Sequence, residues 1–182
     1  MSVELLGLPA SGKSTLSRRA AEVLSSRGVV VAQRSWDLAH GIPRWERRTR
    51  KAARVAAEAA LHPLHAAWSA AAIARSGQPG AADVGRMTFN WLLVAGLERR
   101  RGEAGGIELH DQGIFQALWS IGFGAGRGAA TAVAAALGPR MPLPSVLAVV
   151  RAGPQTVERR LSARPDADSR LDRMDPAEGL SR

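Results

Sequence analysis

The chain has 182 residues, of which 46% are hydrophobic and 23% are charged, and its formal net charge is +9. This composition excludes a disordered polyelectrolyte and suffices for one compact domain with a buried core. Cysteine is absent, which excludes disulfide bonds, thiolate metal sites and cysteine nucleophiles.

The beginning of the chain predicts a strand, a helix and a second strand. Residues 3–6 form a short apolar run that ends at a glycine, which is typical of a buried strand. Residues 13–26 have helical apolar spacing and are followed by Gly28, a residue suited to end a helix. Residues 29–32 are a second β-branched run. This order indicates the opening βαβ unit of a parallel sheet.

The rest of the chain predicts a helical region and then further strands and helices. Residues 43–101 are mostly helical in composition, with breaks at Pro63 and around residues 77–80. Strands are expected at residues 107–110 and 146–150, and helices at residues 114–123 and 155–164. No internal repeat and no second domain is visible, so we predict a single α/β domain over residues 1–182.

A phosphate-binding pattern lies between the first strand and the first helix. Residues 7–14 read Gly-Leu-Pro-Ala-Ser-Gly-Lys-Ser and match Gly, four residues, Gly-Lys-Ser/Thr. Glycines let the backbone approach a ligand, and the loop amides and helix dipole favour an anion. Lys13 is expected to reach the β and γ phosphates, and Ser14 to bind Mg²⁺. The residues that we expect to contact the nucleotide are Gly7, Pro9, Ala10, Ser11, Gly12, Lys13, Ser14 and Thr15.

These residues resemble the start of P-loop kinases of nucleotides and small molecules, with thymidylate kinase and its relatives as the nearest shape. The similarity is specific over residues 5–16, Leu-Leu-Gly-Leu-Pro-Ala-Ser-Gly-Lys-Ser-Thr-Leu, and extends in outline to the later order of elements. It implies a three-layer fold with a central parallel sheet and helices on both faces, an ATP–Mg²⁺ site and an arginine-bearing lid. The last strand of such a fold is not visible in the sequence.

Two aspartates follow predicted strands, where parallel sheets bind ligands. Asp111 is expected to hold Mg²⁺ through water or to contact the acceptor, with helix capping as the alternative. Asp37 is expected to act as a base or to orient the acceptor, with a loop or cap role as the alternative. Thymidylate kinases usually carry an acidic residue followed by arginine after the third strand, whereas this chain has Asp111-Gln112-Gly113. This departure argues against a thymidylate acceptor.

Arginines near the end of the chain are similar in outline to the lid of nucleotide kinases. Guanidinium groups bind phosphate oxygens in pairs of hydrogen bonds. We expect a lid over about residues 159–175, with Arg164 and Arg170 contacting phosphate, and a solvated helix end as the alternative. A second arginine cluster follows Asp37 and either binds an acceptor anion or is a solvated helix face; it comprises Arg44, Arg47, Arg48 and Arg50.

The acceptor side of the molecule is predicted to lie in residues 43–101. Trp68, Trp91 and Trp119 are candidates to wall an acceptor pocket, although tryptophans more often pack in the core. Gln112 and Gln116 lie one helical turn apart, so both are candidates to face the ligand crevice.

Several classes of partner are not expected. The opening residues lack a signal-peptide pattern, and no apolar run approaches the ~20 residues of a membrane span, so we expect a cytoplasmic protein without a membrane partner. Only Lys13 and Lys51 among the 25 basic residues are lysines, and tyrosine is absent. With so few aromatic side chains to stack on bases, nucleic-acid binding is not expected. A homodimer is left open.

The sequence therefore predicts an ATP-dependent phosphotransferase that uses Mg²⁺ and acts on a nucleotide, nucleoside or other small hydroxylated molecule. One alternative is a P-loop ATPase or GTPase, although no Asn-Lys-x-Asp segment for guanine recognition is present. A second alternative is a nucleotide-binding regulatory module. The acceptor and the preferred base are not determined by these patterns.

Overall fold

A computed structural model describes residues 1–38, 41–100, 105–126 and 128–163 of this α/β protein. Its four strands are β1 (Ser2–Leu6), β2 (Val31–Ala32), β3 (Ile107–His110) and β4 (Val146–Val149). Its helices are α1 (Lys13–Ser26), α2 (Arg34–Asp37), α3 (Arg44–Leu61), α4 (Pro63–Ala74), α5 (Ala81–Arg99), α6 (Ile114–Ala125), α7 (Ala129–Leu137) and α8 (Pro154–Ser162), with a 3₁₀ turn over Gly138–Arg140.

The strands form one parallel sheet in the order β2-β3-β1-β4. The predicted α/β class and parallel sheet are confirmed. From β1 the chain crosses through α1 to β2, on the side of β1 that β3 also occupies, and it later returns through α6 and α7 to β4 on the other side. The connection that leaves β1 and the connection that leaves β3 run in opposite directions, so the crevice at the carboxyl ends of these two strands is the place where parallel sheets bind ligands.

Local patterns placed most elements within one or two residues. The predicted strand at residues 107–110 and the helix at residues 13–26 agree with the structure, and residues 43–101 are helical with breaks near Pro63 and residues 77–80, as predicted. Pro63 begins α4, since proline suits the first helical turn, where no backbone donor is needed. The short helices α2 and α7 were not predicted as elements. The second strand is reduced to Val31–Ala32, because only this part of the apolar run pairs with β3.

The main hydrophobic core lies among the helices. Trp91 is fully buried there, and α4, α5, α6 and α7 contribute its neighbours, among them Ile73, Ile121 and Val133. Packing against α4, α5 and α7 fixes the position of α6, which begins three residues after Asp111. Among the described residues, no helix combines the length and the hydrophobicity that a membrane-spanning segment requires.

A buried polar layer lies on one face of the β1–β3 pair. Register places Ser2 beside Glu108 and Glu4 beside His110, and side chains alternate along a strand, so these four residues share a face. All four are at most 1% exposed. The apolar face of the pair carries Leu5 and Leu109. Polar residues in these strands therefore belong to a packed layer rather than to the protein surface.

Candidate functional site

The glycine loop (residues 7–12) joins β1 to α1 and has a left-handed backbone at two positions. Ala10 has φ 64° and Gly12 has φ 99°, and a positive φ is uncommon for a residue with a Cβ atom. Helix α1 starts directly after the loop, and Leu16 makes its first helical bond to the Gly12 carbonyl at 2.9 Å. Left-handed and helical residues in succession turn backbone N–H groups toward a common point, which suits an anion.

Gly7 is required by a close approach of two chain segments. A Cβ atom at this position would overlap the carbonyl oxygen of Val150, directly after β4, and would lie 2.9 Å from the Ser11 hydroxyl. The Ser11 hydroxyl is buried and has no hydrogen-bond partner among the described residues. The loop therefore packs tightly at its base and contains a polar group that the described part of the protein does not satisfy.

Lys13 directs its ammonium group back onto the glycine loop. Nζ donates hydrogen bonds to the carbonyl oxygens of Gly7 at 2.5 Å and Leu8 at 2.8 Å. The positive charge is thus held within the loop, beside the first turn of α1.

Asp111 connects three elements at the carboxyl end of the sheet. Its Oδ2 accepts a hydrogen bond from the Ser14 hydroxyl at 2.8 Å, and its Oδ1 accepts one from the Ser35 hydroxyl at 2.9 Å. The backbone N–H groups of Phe115 and Gln116 at the start of helix α6 donate to Glu4 and not to Asp111, so the alternative in which Asp111 caps this helix is wrong. The structure brings Ser14 and Asp111 together as the sequence predicted.

The pair of Ser14 and Asp111 fits a magnesium ion that is shared with a ligand. Magnesium prefers oxygen ligands and is usually held by one or two carboxylates together with waters and substrate phosphates. A hydroxyl and a carboxylate oxygen at 2.8 Å supply this kind of donor set. In the described ranges no group of three or more His, Cys, Asp or Glu residues could hold a metal, so a fully protein-ligated metal site is not seen there.

A cavity of about 840 Å³ opens over the glycine loop. We call it the loop cavity. On the side opposite the glycine loop it is lined by Asp111, Gln112 and Gln116. Its volume falls within the ~300–1,000 Å³ range of small-molecule sites. It is lined by Pro9, Ala10, Ser11, Gly12, Lys13, Ser14, Thr15, Leu16, Arg19, Asp111, Gln112, Gln116, Val150 and Arg160.

Arg160 is the lid-region arginine that the structure brings to the loop. Nη1 donates to the carbonyl oxygen of Ala10 at 3.2 Å, and the side chain lines the loop cavity. The predicted phosphate ligands Arg164 and Arg170 lie outside the described residues, as does most of the predicted lid. Their assignments stay predictions.

Asp37 is not brought to the loop cavity. It is exposed at the end of α2 and is absent from the residues that line this cavity. Its assignment as a base or acceptor-orienting group stays a prediction. The arginine cluster that follows lies at the start of α3, where Arg50 forms an ion pair with Glu46 at 2.5 Å. This contact agrees with a solvated helix face.

The side chain of Glu4 in β1 contacts the amino end of α6. Its carboxylate accepts hydrogen bonds from the backbone N–H groups of Phe115 at 3.1 Å and Gln116 at 2.8 Å. Burial raises the pKa of this carboxyl, and the backbone hydrogen bonds oppose that shift. The carboxyl oxygens therefore satisfy backbone N–H groups that a helix start leaves without a partner in the helix. It also fixes the position of Gln116, whose Oε1 accepts from the Gly7 N–H at 3.4 Å.

His110 belongs to the buried polar layer. Its Nε2 lies 3.3 Å from Glu98 and 3.7 Å from Glu108, and Glu108 pairs with Arg34 at 3.2 Å. Burial lowers the pKa of His110 to about 4, with Asp111 raising it and Arg34 lowering it. The side chain does not line the loop cavity, so His110 is a packed structural residue of this layer.

The three candidate tryptophans have different environments. Trp91 lies in the core and is fully buried. Trp68 is 55% exposed, with the Arg140 guanidinium 5.4 Å from its ring centroid. Trp119 packs against Phe123, with ring centroids 5.0 Å apart, and lines a smaller cavity beside the loop cavity. Of these three tryptophans, only Trp119 lines a cavity next to the glycine loop.

Two residues of the site, Glu4 and Ser35, were not identified from the sequence. Arg160 was included in the predicted lid segment but was not selected as a phosphate ligand. Glu4 had a signal in its charge within an apolar strand. No local pattern distinguishes Ser35, which reaches Asp111 only through tertiary packing.

Comparisons with known proteins assign no family. No protein-family model matches the chain, and no curated protein or solved structure matches it.

Proposed function

We propose that this protein is a phosphotransferase that binds ATP with Mg²⁺ and transfers the γ-phosphoryl group to the hydroxyl of a small molecule. The observation that carries the proposal is the hydrogen bond from Ser14 to Asp111 at the edge of a cavity walled by the glycine loop. It places a hydroxyl and a carboxylate beside loop amides and the Lys13 ammonium. This combination suits a triphosphate with its metal ion.

Each part of the loop cavity has a role in this proposal. The loop amides and Lys13 would bind the β and γ phosphates, and Arg160 would approach them from α8. Ser14 and Asp111 would hold Mg²⁺, which would neutralise charge on the phosphate oxygens. Ser35 orients Asp111 through its hydrogen bond at 2.9 Å. The protein thus supplies positioning and positive charge, the main requirements of phosphoryl transfer.

The reaction is balanced without a further reactant. The acceptor oxygen forms a bond to the γ-phosphorus, and the bond to the β,γ-bridging oxygen breaks with its electron pair remaining on ADP. The hydroxyl proton is released to solvent. Asp111 is the one carboxylate among the described residues that line the loop cavity.

That single carboxylate also supports a second candidate, a nucleotide-binding module with little transfer. An acceptor hydroxyl reacts faster with a base within hydrogen-bond reach, and Asp111 is already engaged by two serine hydroxyls. In this candidate the same loop binds nucleotide, and turnover stays close to background. The two candidates differ in product formation and not in binding.

Calorimetry with ATP and MgCl₂ tests the shared premise. We expect the native chain to bind and Lys13→Ala to lose at least about tenfold in affinity, as for the loss of a charged hydrogen-bond donor. Arg18→Ala is the matched control, since it removes one positive charge from the exposed side of α1 outside the loop cavity. Equal loss in both variants, or no binding by the native chain, would contradict the proposal. Mass spectrometry of acceptor mixtures incubated with ATP then separates transfer from binding alone.

A further inference from the structure

A second cavity of about 260 Å³ adjoins the loop cavity between α5 and α6. We call it the side cavity. Pro9, Gln112 and Gln116 line both cavities, so these three residues form the boundary between them. A molecule in the side cavity would therefore lie next to whatever occupies the glycine loop.

The walls of the side cavity are apolar and aromatic, with a few neutral polar groups. Trp119 and Phe123 lie on successive turns of α6 with their rings 26° from parallel and form one aromatic wall. Asn90 and the two boundary glutamines supply amide groups, which can both donate and accept hydrogen bonds. Lys51 is the single charged residue among the described lining residues, and none of them is a carboxylate.

From these walls we infer that the side cavity binds the phosphoryl acceptor, and that the acceptor is a compact, flat, hydroxyl-bearing molecule with at most one negative charge. This inference rests on the proposed function. The aromatic wall favours a planar ring, since offset rings attract at centroid distances of about 4.5–7 Å. The amides favour a ring with both donor and acceptor groups, and Lys51 allows one anionic group.

The size and charge of the cavity argue against a phosphorylated acceptor. Its volume lies below the ~300 Å³ at which drug-sized ligand sites begin. Doubly charged phosphate is usually bound by paired guanidinium hydrogen bonds, and no arginine lines the described part of this cavity. The arginines at the start of α3 that could have filled this role are absent from its lining. A nucleoside or a smaller heteroaromatic alcohol therefore fits better than a nucleotide.

Gln116 connects the acceptor cavity to the glycine loop. Its backbone N–H is held by Glu4 at 2.8 Å, and its side-chain oxygen accepts from the Gly7 N–H at 3.4 Å. Both the backbone and the side-chain amide of Gln116 are thus held by hydrogen bonds, and the residue lines both cavities. Gln116 is a positioning residue that sets where an acceptor hydroxyl meets the loop.

Saturation-transfer NMR with the full chain and AMP-PNP–Mg²⁺ tests the inference. The probes are uridine, thymidine, adenosine and pyridoxine, each compared with its own 5′-phosphate ester. We expect at least one uncharged probe to bind, and to bind more tightly than its ester. Trp119→Leu should weaken that binding about tenfold or more, since stacking on the ring is lost. Trp68→Leu is the matched control, because Trp68 is exposed and lies outside the side cavity.

Asn90→Ala is a second variant that does not disturb the core, because Asn90 is exposed on α5. It should weaken binding of the same probe about threefold or more through the loss of an amide hydrogen bond. Tighter binding of the esters, binding of no probe, or equal effects of Trp119→Leu and Trp68→Leu would each overturn the inference. If AMP-PNP itself does not bind, the proposed function fails first. Binding of AMP-PNP without any probe leaves that premise standing and rejects only the acceptor assignment.

Discussion

The Ser14 hydroxyl donates to Oδ2 of Asp111 at 2.8 Å and joins the first turn of α1 to the residue that follows β3. The two residues are 97 positions apart in the chain. Ser35 approaches the other carboxylate oxygen at 2.9 Å, so both oxygens of Asp111 are oriented by hydroxyl groups. The carboxylate is therefore held in place before any ligand arrives, which suits the magnesium-binding role that we propose for it.

Asp111→Asn should remove the magnesium dependence of nucleotide binding. The amide keeps one oxygen acceptor but loses the negative charge, and interactions with a charged group are worth about 1.5–3 kcal/mol. We expect the gain in ADP affinity on adding MgCl₂ to fall by about 10- to 100-fold, measured by calorimetry with and without the salt. Asp83→Asn, the same chemical change on α5, should leave the gain intact. An unchanged magnesium effect in Asp111→Asn would count against this site.

Arg160→Ala should weaken nucleotide binding more than Arg159→Ala does. Both arginines are exposed on α8, but only Arg160 donates to the glycine loop and lines the loop cavity. Because the side chain is solvated, its charge is partly screened, and we expect a loss of roughly three- to tenfold in ATP affinity. Titrations of the two variants at the same ionic strength provide the comparison. Equal affinities would remove Arg160 from the site.

Gly113→Ala should destabilise the protein through Glu4. A Cβ atom at residue 113 would overlap the Glu4 carboxylate, which cannot move without losing the N–H groups of Phe115 and Gln116. Forced overpacking of this kind costs about 1–3 kcal/mol in the free energy of unfolding, measurable by urea denaturation. Gly85→Ala is the control, since a Cβ atom there meets nothing within 4 Å. In the exposed interior of α5 it should stabilise by up to about 1 kcal/mol. Similar effects of the two changes would contradict the packing.

Acidification should destabilise the protein through His65. This residue is 7% exposed, and burial, reinforced by Arg99 and His62, lowers its pKa from 6.5 to about 4. Between pH ~4 and pH 6.5 the unfolded chain therefore binds a proton at His65 and the folded chain does not. The contribution of His65 to the free energy of unfolding is complete above pH ~6.5 and is lost as the pH falls toward 4. The loss at pH 4 is on the order of 3 kcal/mol. In His65→Leu the fall in unfolding free energy between pH 7 and pH 4 should be smaller by this amount, and an identical fall would refute the assignment.

The site shows where prediction from the sequence succeeded. The spacing of glycine, lysine and serine placed the loop and the start of α1 correctly, because these residues are neighbours in the chain. Asp111 was placed by the end of an apolar strand, since parallel strands carry ligands at their carboxyl ends. The interpretation of Asp111 as a helix cap failed, because its oxygens were taken up by hydroxyls from other elements.

The direction of a side chain was harder to predict from the sequence. Asp37 follows the second strand, yet the short helix α2 leaves it exposed and away from the loop cavity. Trp91 in α5 and Trp119 in α6 were both candidates to wall an acceptor pocket, but Trp91 faces the core and Trp119 lines a cavity. Which face of a helix is covered depends on the neighbouring helices, and these are not specified by the periodicity of one segment.

By itself, the sequence determined the order of strands and helices, the parallel character of the sheet and the residues of the glycine loop. These follow from short-range patterns of apolar, glycine and helix-forming residues. Only the tertiary structure decided that Ser35 and Arg160 join the site, that Glu4 supports α6, and that a small aromatic-walled cavity adjoins the loop. Those contacts join residues 76 to 150 positions apart, and they form because strand order and helix packing bring distant segments to the same edge of the sheet.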